Sequence, residues 1–67
     1  MTDLEKLRVL LPHWINHNGE HGKEFLHWVK LCEDSGHAQV AEALKKAIET
    51  TKQVNRDLEH ALDLAGG

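Results

Sequence analysis

The sequence predicts an all-α fold in which a short N-terminal helix precedes a long antiparallel helical hairpin. Apolar residues recur at intervals of three and four throughout, and no segment alternates as a strand would. Proline occurs only at Pro12, and no glycine-rich linker precedes the final Gly66-Gly67. A chain of 67 residues is long enough for one small domain, so a single helical domain over 1–67 is expected.

The first predicted helix spans residues 2–10. Thr2-Asp3-Leu4-Glu5 matches a capping box, in which a threonine and a glutamate three residues later satisfy the first free amides of a helix. Its apolar stripe consists of Leu4, Leu7 and Leu11. Pro12 is predicted to end this helix, because the residue before a proline avoids helical geometry and proline suits a first helical turn.

Two longer helices are predicted over residues 12–34 and 37–64. The apolar stripe of the first is Trp14, Phe25, Trp28, Val29 and Cys32. The stripe of the second is Val40, Leu44, Ala47, Ile48, Thr51, Val54, Leu58, Ala61, Leu62 and Ala65. Ser35-Gly36 separates them, with the glycine as a left-handed cap. A turn this short makes the two helices antiparallel neighbours.

Pairing the two stripes about Gly36 predicts the seam of the hairpin. Matched pairs are Cys32 with Val40, Trp28 with Leu44, Phe25 with Ala47 and Trp14 with Leu58. Both stripes become polar at the same level, where Asn18 and His21 face Thr51 and Asn55. The sequence therefore predicts a polar layer inside an otherwise apolar seam.

A hairpin with one short additional helix has little apolar area to bury. Long helices with one broad apolar stripe often complete a core by forming a four-helix arrangement. We therefore expect a homodimer or another helical protein partner.

Charge and composition exclude several functional classes. The net charge is −3, which argues against a nucleic-acid or anionic-membrane surface. No apolar run approaches the roughly 20 residues of a membrane span, and the acidic N-terminus lacks the apolar core of a signal peptide. Cys32 is the only cysteine, so no internal disulfide can form, and a lone thiol fits a reducing cytoplasm.

Three histidines, His13, His17 and His21, stand four residues apart on one predicted helix. Residues at this spacing follow one face, one turn apart, and imidazole is the commonest metal ligand. The ladder spans about 12 Å, so one ion can bind only an adjacent pair. His17 and His21 with Glu24 form the best single set, and His13 is a further candidate ligand. A histidine pair with a carboxylate suits nickel, zinc, cobalt or copper.

The same histidines have a structural interpretation. Helical angles place His21 inside the seam, where it could bond to Thr51 or Asn55 as part of the polar layer, while His13 and His17 lie towards solvent. Two functions therefore stay open at this point. One is a small non-enzymatic metal-binding protein, and the other is a helical dimerisation or protein-interaction module.

Two segments match enzymatic motifs in sequence but lack the structural context that those motifs require. The segment His17–His21 fits the His-x-x-Glu-His pattern of inverzincin metalloproteases, which requires a distant third ligand and a large cleft. Glu24–His27 fits the Glu-x-x-His of di-iron bundles, but His27 lies far from the apolar stripe. We expect no catalytic residues and no enzymatic activity.

The segment Leu11–His21, together with Phe25 and Trp28, the Gly36-His37 turn, and Asn55 followed by Leu58, Ala61 and Leu62, resembles a family of small uncharacterised prokaryotic helical domains. The resemblance covers about residues 7–64 and is carried by a Pro-His-Trp-Ile-x-His-Asn-x-x-His core. It implies mainly the helical fold.

Overall fold

Two long α-helices and one tight turn make up the computed structural model, which describes residues 1–67. Helix α1 runs over Asp3–Asp34 and helix α2 over Ala38–Leu64. They lie side by side and antiparallel in a rod whose Cα atoms extend 51 × 14 × 12 Å. The predicted all-α fold and helical hairpin are confirmed. Neither helix contains an apolar stretch long enough to cross a membrane.

The N-terminus of α1 is fixed by the predicted capping box. The Glu5 amide donates to the Thr2 hydroxyl oxygen at 3.2 Å, and the Thr2 amide donates to the Glu5 carboxylate at 3.2 Å. Each bond satisfies an amide that has no partner within the helix, so the pair sets where α1 begins.

The predicted break at Pro12 is wrong, because α1 continues through this residue and no separate short helix exists. Proline cannot donate the hydrogen bond to the carbonyl four residues earlier, and its ring disfavours the interior of a helix. The neighbouring Leu11 is nevertheless buried against α2, with 3% of its surface exposed. Packing on both sides of the proline therefore outweighs the local preference, as tertiary contacts commonly do for long helices.

The turn between the helices depends on Gly36, whose φ of +81° lies in the left-handed region. The His37 amide donates to the Cys32 carbonyl oxygen at 2.8 Å, and the Gly36 amide donates to the Glu33 carbonyl oxygen at 3.3 Å. These bonds satisfy the last carbonyls of α1 in a Schellman-type end. The predicted glycine cap is confirmed, and α2 begins one residue later than predicted.

The helices pack along a seam in which buried and half-buried residues alternate at intervals of three and four. On α1 these are Leu7, Leu11, Ile15, Asn18, Gly22, Phe25, Val29 and Cys32. On α2 they are Ala41, Leu44, Ile48, Thr51, Asn55, Leu58 and Leu62, with Lys45 beside them and Ala65 just past the end of the helix. Such spacing averages 3.5 residues and is typical of a coiled coil. Val29 and Ala41 are its most buried members, each 1% exposed.

Trp14 and Trp28, which the sequence placed in the seam, lie beside it and are 40% and 52% exposed. The predicted members Phe25, Val29 and Cys32 do lie in the seam, but the seam follows the smaller Ile15 in place of Trp14. The large apolar side chains therefore widen the apolar surface of α1 beyond what α2 covers.

A polar layer crosses the seam at mid-length. The Asn18 amide donates to the Asn55 side-chain oxygen at 3.1 Å, and the Asn55 amide donates to the Ile15 carbonyl oxygen at 3.2 Å. The predicted pairing of Asn18 with the level of Asn55 is confirmed. Thr51 instead donates to the Ala47 carbonyl oxygen of its own helix at 2.9 Å.

Polar contacts also join the helices at both ends of the rod. Near the turn, Lys45 Nζ lies 3.0 Å from Glu33 Oε2 and 3.1 Å from Glu42 Oε1. Hydrogen bonding to Glu33 first, and to Glu42 next, raises the pKa of Lys45 above its usual value of 10.5. At the open end, the Arg8 guanidinium donates to the Ala65 carbonyl oxygen at the C-terminus of α2, where a cation also complements the helix dipole.

Candidate metal-binding site on the first helix

All three histidines of the ladder are exposed on α1, outside the seam. His21, which helical angles placed inside the seam, has a side chain that is 48% exposed. The prediction of a buried His21 is wrong for the reason that applies to the tryptophans, because the seam is rotated away from Trp14 towards Ile15. The amides of Asn18 and Asn55 bond to each other's helix and form the polar layer without a histidine.

His17 and His21 form a close pair. Their Nε2 atoms lie 2.9 Å apart, and the two rings meet edge to face with centroids 4.5 Å apart. This distance suits one N–H···N hydrogen bond, in which one ring donates and the other accepts according to their tautomers. The i, i+4 spacing on a helix brings the rings together, as the sequence predicted.

His13 does not join the pair. Its ring is stacked over that of His17 with centroids 6.2 Å apart, and no nitrogen contact accompanies the stacking. At the other end, the His21 ring stacks on Phe25 with centroids 6.0 Å apart. Phe25 belongs to the seam, so this contact links the position of His21 to the packing of the hairpin.

Glu24 lies on the far side of the His21 ring from His17. Its Oε2 atom is 3.9 Å from His21 Nδ1, whereas His21 faces His17 through Nε2. A carboxylate at Nδ1 favours the tautomer in which Nδ1 carries the proton and Nε2 offers its lone pair. Glu24 thus lies on the Nδ1 side of His21, and a ligand bound at Nε2 would take the place of the contact with His17.

The structure contains no group of three or more histidine, cysteine, aspartate or glutamate side chains arranged to hold a metal ion. The site therefore consists of two imidazole nitrogens on an exposed helix face. Further ligands of an ion bound there would be water molecules, groups from a second chain or, after a change of rotamer, His13.

A groove of about 460 Å³ lies on the opposite flank of the hairpin. It exists because Gly19 and Gly22 present no side chain there, and a Cβ atom added to either would meet nothing within 4 Å. Leu26 and Ile48 are its two apolar lining residues, and lysines lie around it. None of the histidines lines this groove, so it is separate from the metal-binding candidate.

The sequence reasoning missed that Trp14, His21 and Trp28 belong to one stripe beside the seam. Their spacing of seven residues is the repeat of a coiled coil and could have revealed this. A straight helix with its apolar stripe centred on Trp14 places His21 inside the seam, so the repeat of seven residues was not recognised.

Comparison with known proteins gives the family. Residues 7–65 match the model of a family described as "Domain of unknown function (DUF8180)". The chain belongs to this family. The chain is also similar to an "Uncharacterized protein" of Archaeoglobus fulgidus. The two are 38% identical over 63 residues, which cover 94% of this chain and all of that protein.

No solved structure matches the chain. Membership of the DUF8180 family confirms the resemblance to small uncharacterised domains over nearly the same residues. The Pro-His-Trp core as a signature of that family stays a prediction.

Proposed function

We propose that this protein is a non-enzymatic binder of a divalent transition-metal ion, with His17 Nε2 and His21 Nε2 as its ligands. The observation that carries the proposal is the 2.9 Å separation of the two Nε2 atoms. Metal–imidazole bonds are about 2.0–2.1 Å long, so two ligands at a right angle stand about 2.9 Å apart. The separation therefore matches two adjacent positions around one ion, and binding would replace the hydrogen bond between the two rings.

The same separation favours particular metals. Two nitrogens bound at the tetrahedral angle would stand about 3.4 Å apart, which is wider than the observed pair. Right-angled neighbours occur in the octahedral and square-planar geometries of nickel and copper. We therefore place nickel and copper ahead of zinc, with cobalt as a further octahedral candidate.

Two further observations support a binding role. His21 has no hydrogen bond to α2, so its position is not accounted for by the polar layer that Asn18 and Asn55 complete. Glu24 lies beside His21 Nδ1 and acts on the ligand from outside the coordination sphere, while His13 is a reserve ligand one turn away. A cytoplasmic location is part of the proposal, since the single Cys32 suits a reducing compartment.

Calorimetric titration with nickel, copper and zinc ions tests the proposal. We expect a dissociation constant of about 10 µM or lower for nickel or copper, equivalent to about 7 kcal/mol of binding free energy. The double substitution His17→Ala with His21→Ala should weaken binding at least tenfold. The matched control is His27→Ala with His60→Ala, which removes two exposed histidines elsewhere and should leave the affinity unchanged.

Binding should also fall as the solution is acidified from pH 8 to pH 5, because a protonated imidazole cannot ligate a metal.

Glu24→Gln should weaken binding less than the double histidine substitution, because it removes only the carboxylate beside His21 Nδ1 and neither ligand. Equal affinity of the wild type and the His17/His21 double variant would contradict the proposal.

A further inference from the structure

One long side of the hairpin carries exposed apolar residues at intervals of seven. On α1 these include Trp14 and Trp28, with His21 between them. On α2 they are Val40, Ala47, Val54 and Ala61. We call this surface the outer apolar face. Trp28 and Val40 are each 52% exposed, so large apolar areas are open to water within a single chain.

Both halves of the outer apolar face lie on the same side of the rod. The ion pair between Glu33 and Lys45 lies on the opposite flank of the hairpin, as does the groove beside Gly19 and Lys52. Positions 14, 21 and 28 lie across the α1 seam from Gly19 and Glu33, and positions 40, 47, 54 and 61 lie across the α2 seam from Lys45 and Lys52. The two stripes therefore form one continuous surface.

The stripes at positions 14, 21 and 28 and at 40, 47, 54 and 61 contain no aspartate, glutamate, lysine or arginine. The total accessible surface of the chain is 5061 Å², and one of the four long sides of the rod is roughly a quarter of it. A stable interface needs about 800 Å² from each partner. An interface of this size takes in most of one long side of the rod, with the outer apolar face at its centre.

The two stripes of the outer apolar face are complementary in shape. The α1 stripe is bulky, with Trp14 and Trp28, and the α2 stripe is narrow at Ala47 and Ala61. The register set by Asn18 and Asn55 brings Trp28 within one turn of the level of Ala47, and Trp14 within one turn of Ala61. A copy turned about a two-fold axis along the rod would lay each tryptophan over an alanine of its partner.

We propose that a second copy of this chain covers the outer apolar face and completes a four-helix bundle. Helix α1 of each copy packs against α2 of the other, and the two turns lie at the same end. Every helix then has antiparallel neighbours, which is the usual arrangement of such bundles. A single chain has only four buried residues, so the second copy supplies most of the core. Because His21 belongs both to this face and to the proposed metal site, the dimer is tested in the presence of a chelator, so that its failure is distinguishable from a failure of metal binding.

The mass of the wild-type protein in solution is the first test. Sedimentation equilibrium at about 100 µM should give about twice the chain mass of 7.6 kDa. Both tryptophans of the chain lie on the face, so their fluorescence should shift to longer wavelength as the dimer dissociates on dilution. A monomer at this concentration would overturn the proposal.

A charge on the face is the second test. Ala47→Glu introduces a carboxylate into the interface but not into the seam, and it should reduce the association constant by at least a hundredfold. The matched control is Ala38→Glu, the same exchange at an exposed position on the opposite flank of α2, which should leave the dimer intact. A dimeric Ala47→Glu variant would overturn the assignment of the face.

Cross-linking tests the arrangement without requiring that a charged variant fold. Chains carrying Cys32→Ser with Trp28→Cys are mixed with chains carrying Cys32→Ser with Ala47→Cys, and the mixture is oxidised. A disulfide joining the two kinds of chain supports α1 packing on α2 of the partner. If Cys32→Ser with Val54→Cys instead couples to itself and the mixed pair does not form, α2 packs on α2 and the proposed arrangement is wrong.

Discussion

Asn55 makes two of the hydrogen bonds that hold the helices in register, one with Asn18 and one with the Ile15 carbonyl. We expect Asn55→Ala to lower the free energy of unfolding by about 1–2 kcal/mol, because it leaves the Asn18 amide without its partner and removes the additional hydrogen bond to the Ile15 carbonyl. Urea denaturation of the two proteins measures the difference.

The control for this prediction replaces both asparagines by leucine. That double variant should equal or exceed the wild type in stability, since it leaves no polar group of the pair unmatched, but it should specify the register less strictly. If Asn55→Ala is as stable as the wild type, the layer contributes nothing to stability.

The sequence predicted this layer in part. Asn18 and Asn55 could be placed at one level because the turn is short and its centre at Gly36 fixes how the helices pair. The position of His21 could not be predicted, because a small rotation of α1 about its own axis moves this side chain from the seam to the flank. Which rotation occurs depends on how α2 packs, and one helix alone does not contain that information.

At the scale of a single element, α1 contains three residues that disfavour helix, namely Pro12, Gly19 and Gly22, and is nevertheless continuous over 32 residues. The break predicted at Pro12 rested on local preference alone. The capping box and the turn at Gly36 were predicted correctly because their hydrogen bonds involve residues close in sequence. Local signals therefore fixed the ends of the helices, and long-range packing decided the continuity of α1.

Gly22→Ala should stabilise the hairpin by about 0.5–1 kcal/mol. An added Cβ atom meets nothing within 4 Å, so the gain in helix propensity has no steric cost. Thermal unfolding should show a rise of about 2–8 °C.

Gly36→Ala is the contrasting variant. It has equal room for a Cβ atom but must keep a φ of +81°, so we expect it to destabilise the protein by about 1 kcal/mol. A loss of stability in Gly22→Ala would mean that the glycine is required by the packing of the seam.

At the scale of the whole molecule, the chain is a rod with few buried residues. Its stability is therefore expected to depend on association with a second chain. If the chain folds as a dimer, dilution must lower its melting temperature, because unfolding then also separates the two chains. A tenfold dilution should lower it by about 5 °C, given the unfolding entropy expected for two chains of this length. Calorimetry at several protein concentrations measures this.

The variant Ala47→Glu should show no such concentration dependence. A wild-type melting temperature that stays constant over a hundredfold range of concentration would argue for a monomer. The expectation of a dimer came from the sequence, since a hairpin with one short additional helix has little apolar area to bury, whereas the face proposed for it follows from the observed rotation of the helices.

The distribution of packing along the rod has a dynamic consequence. Tightly buried pairs lie towards both ends, Val29 with Ala41 near the turn and Leu11 with Ala65 near the open end, while the middle holds the asparagine layer and two glycines. Backbone amides in the middle of α1 should therefore exchange their hydrogens with solvent through local openings sooner than those around Val29. His17 and His21 stand on this loosely held turn, so an ion that bridges them would slow the exchange there first.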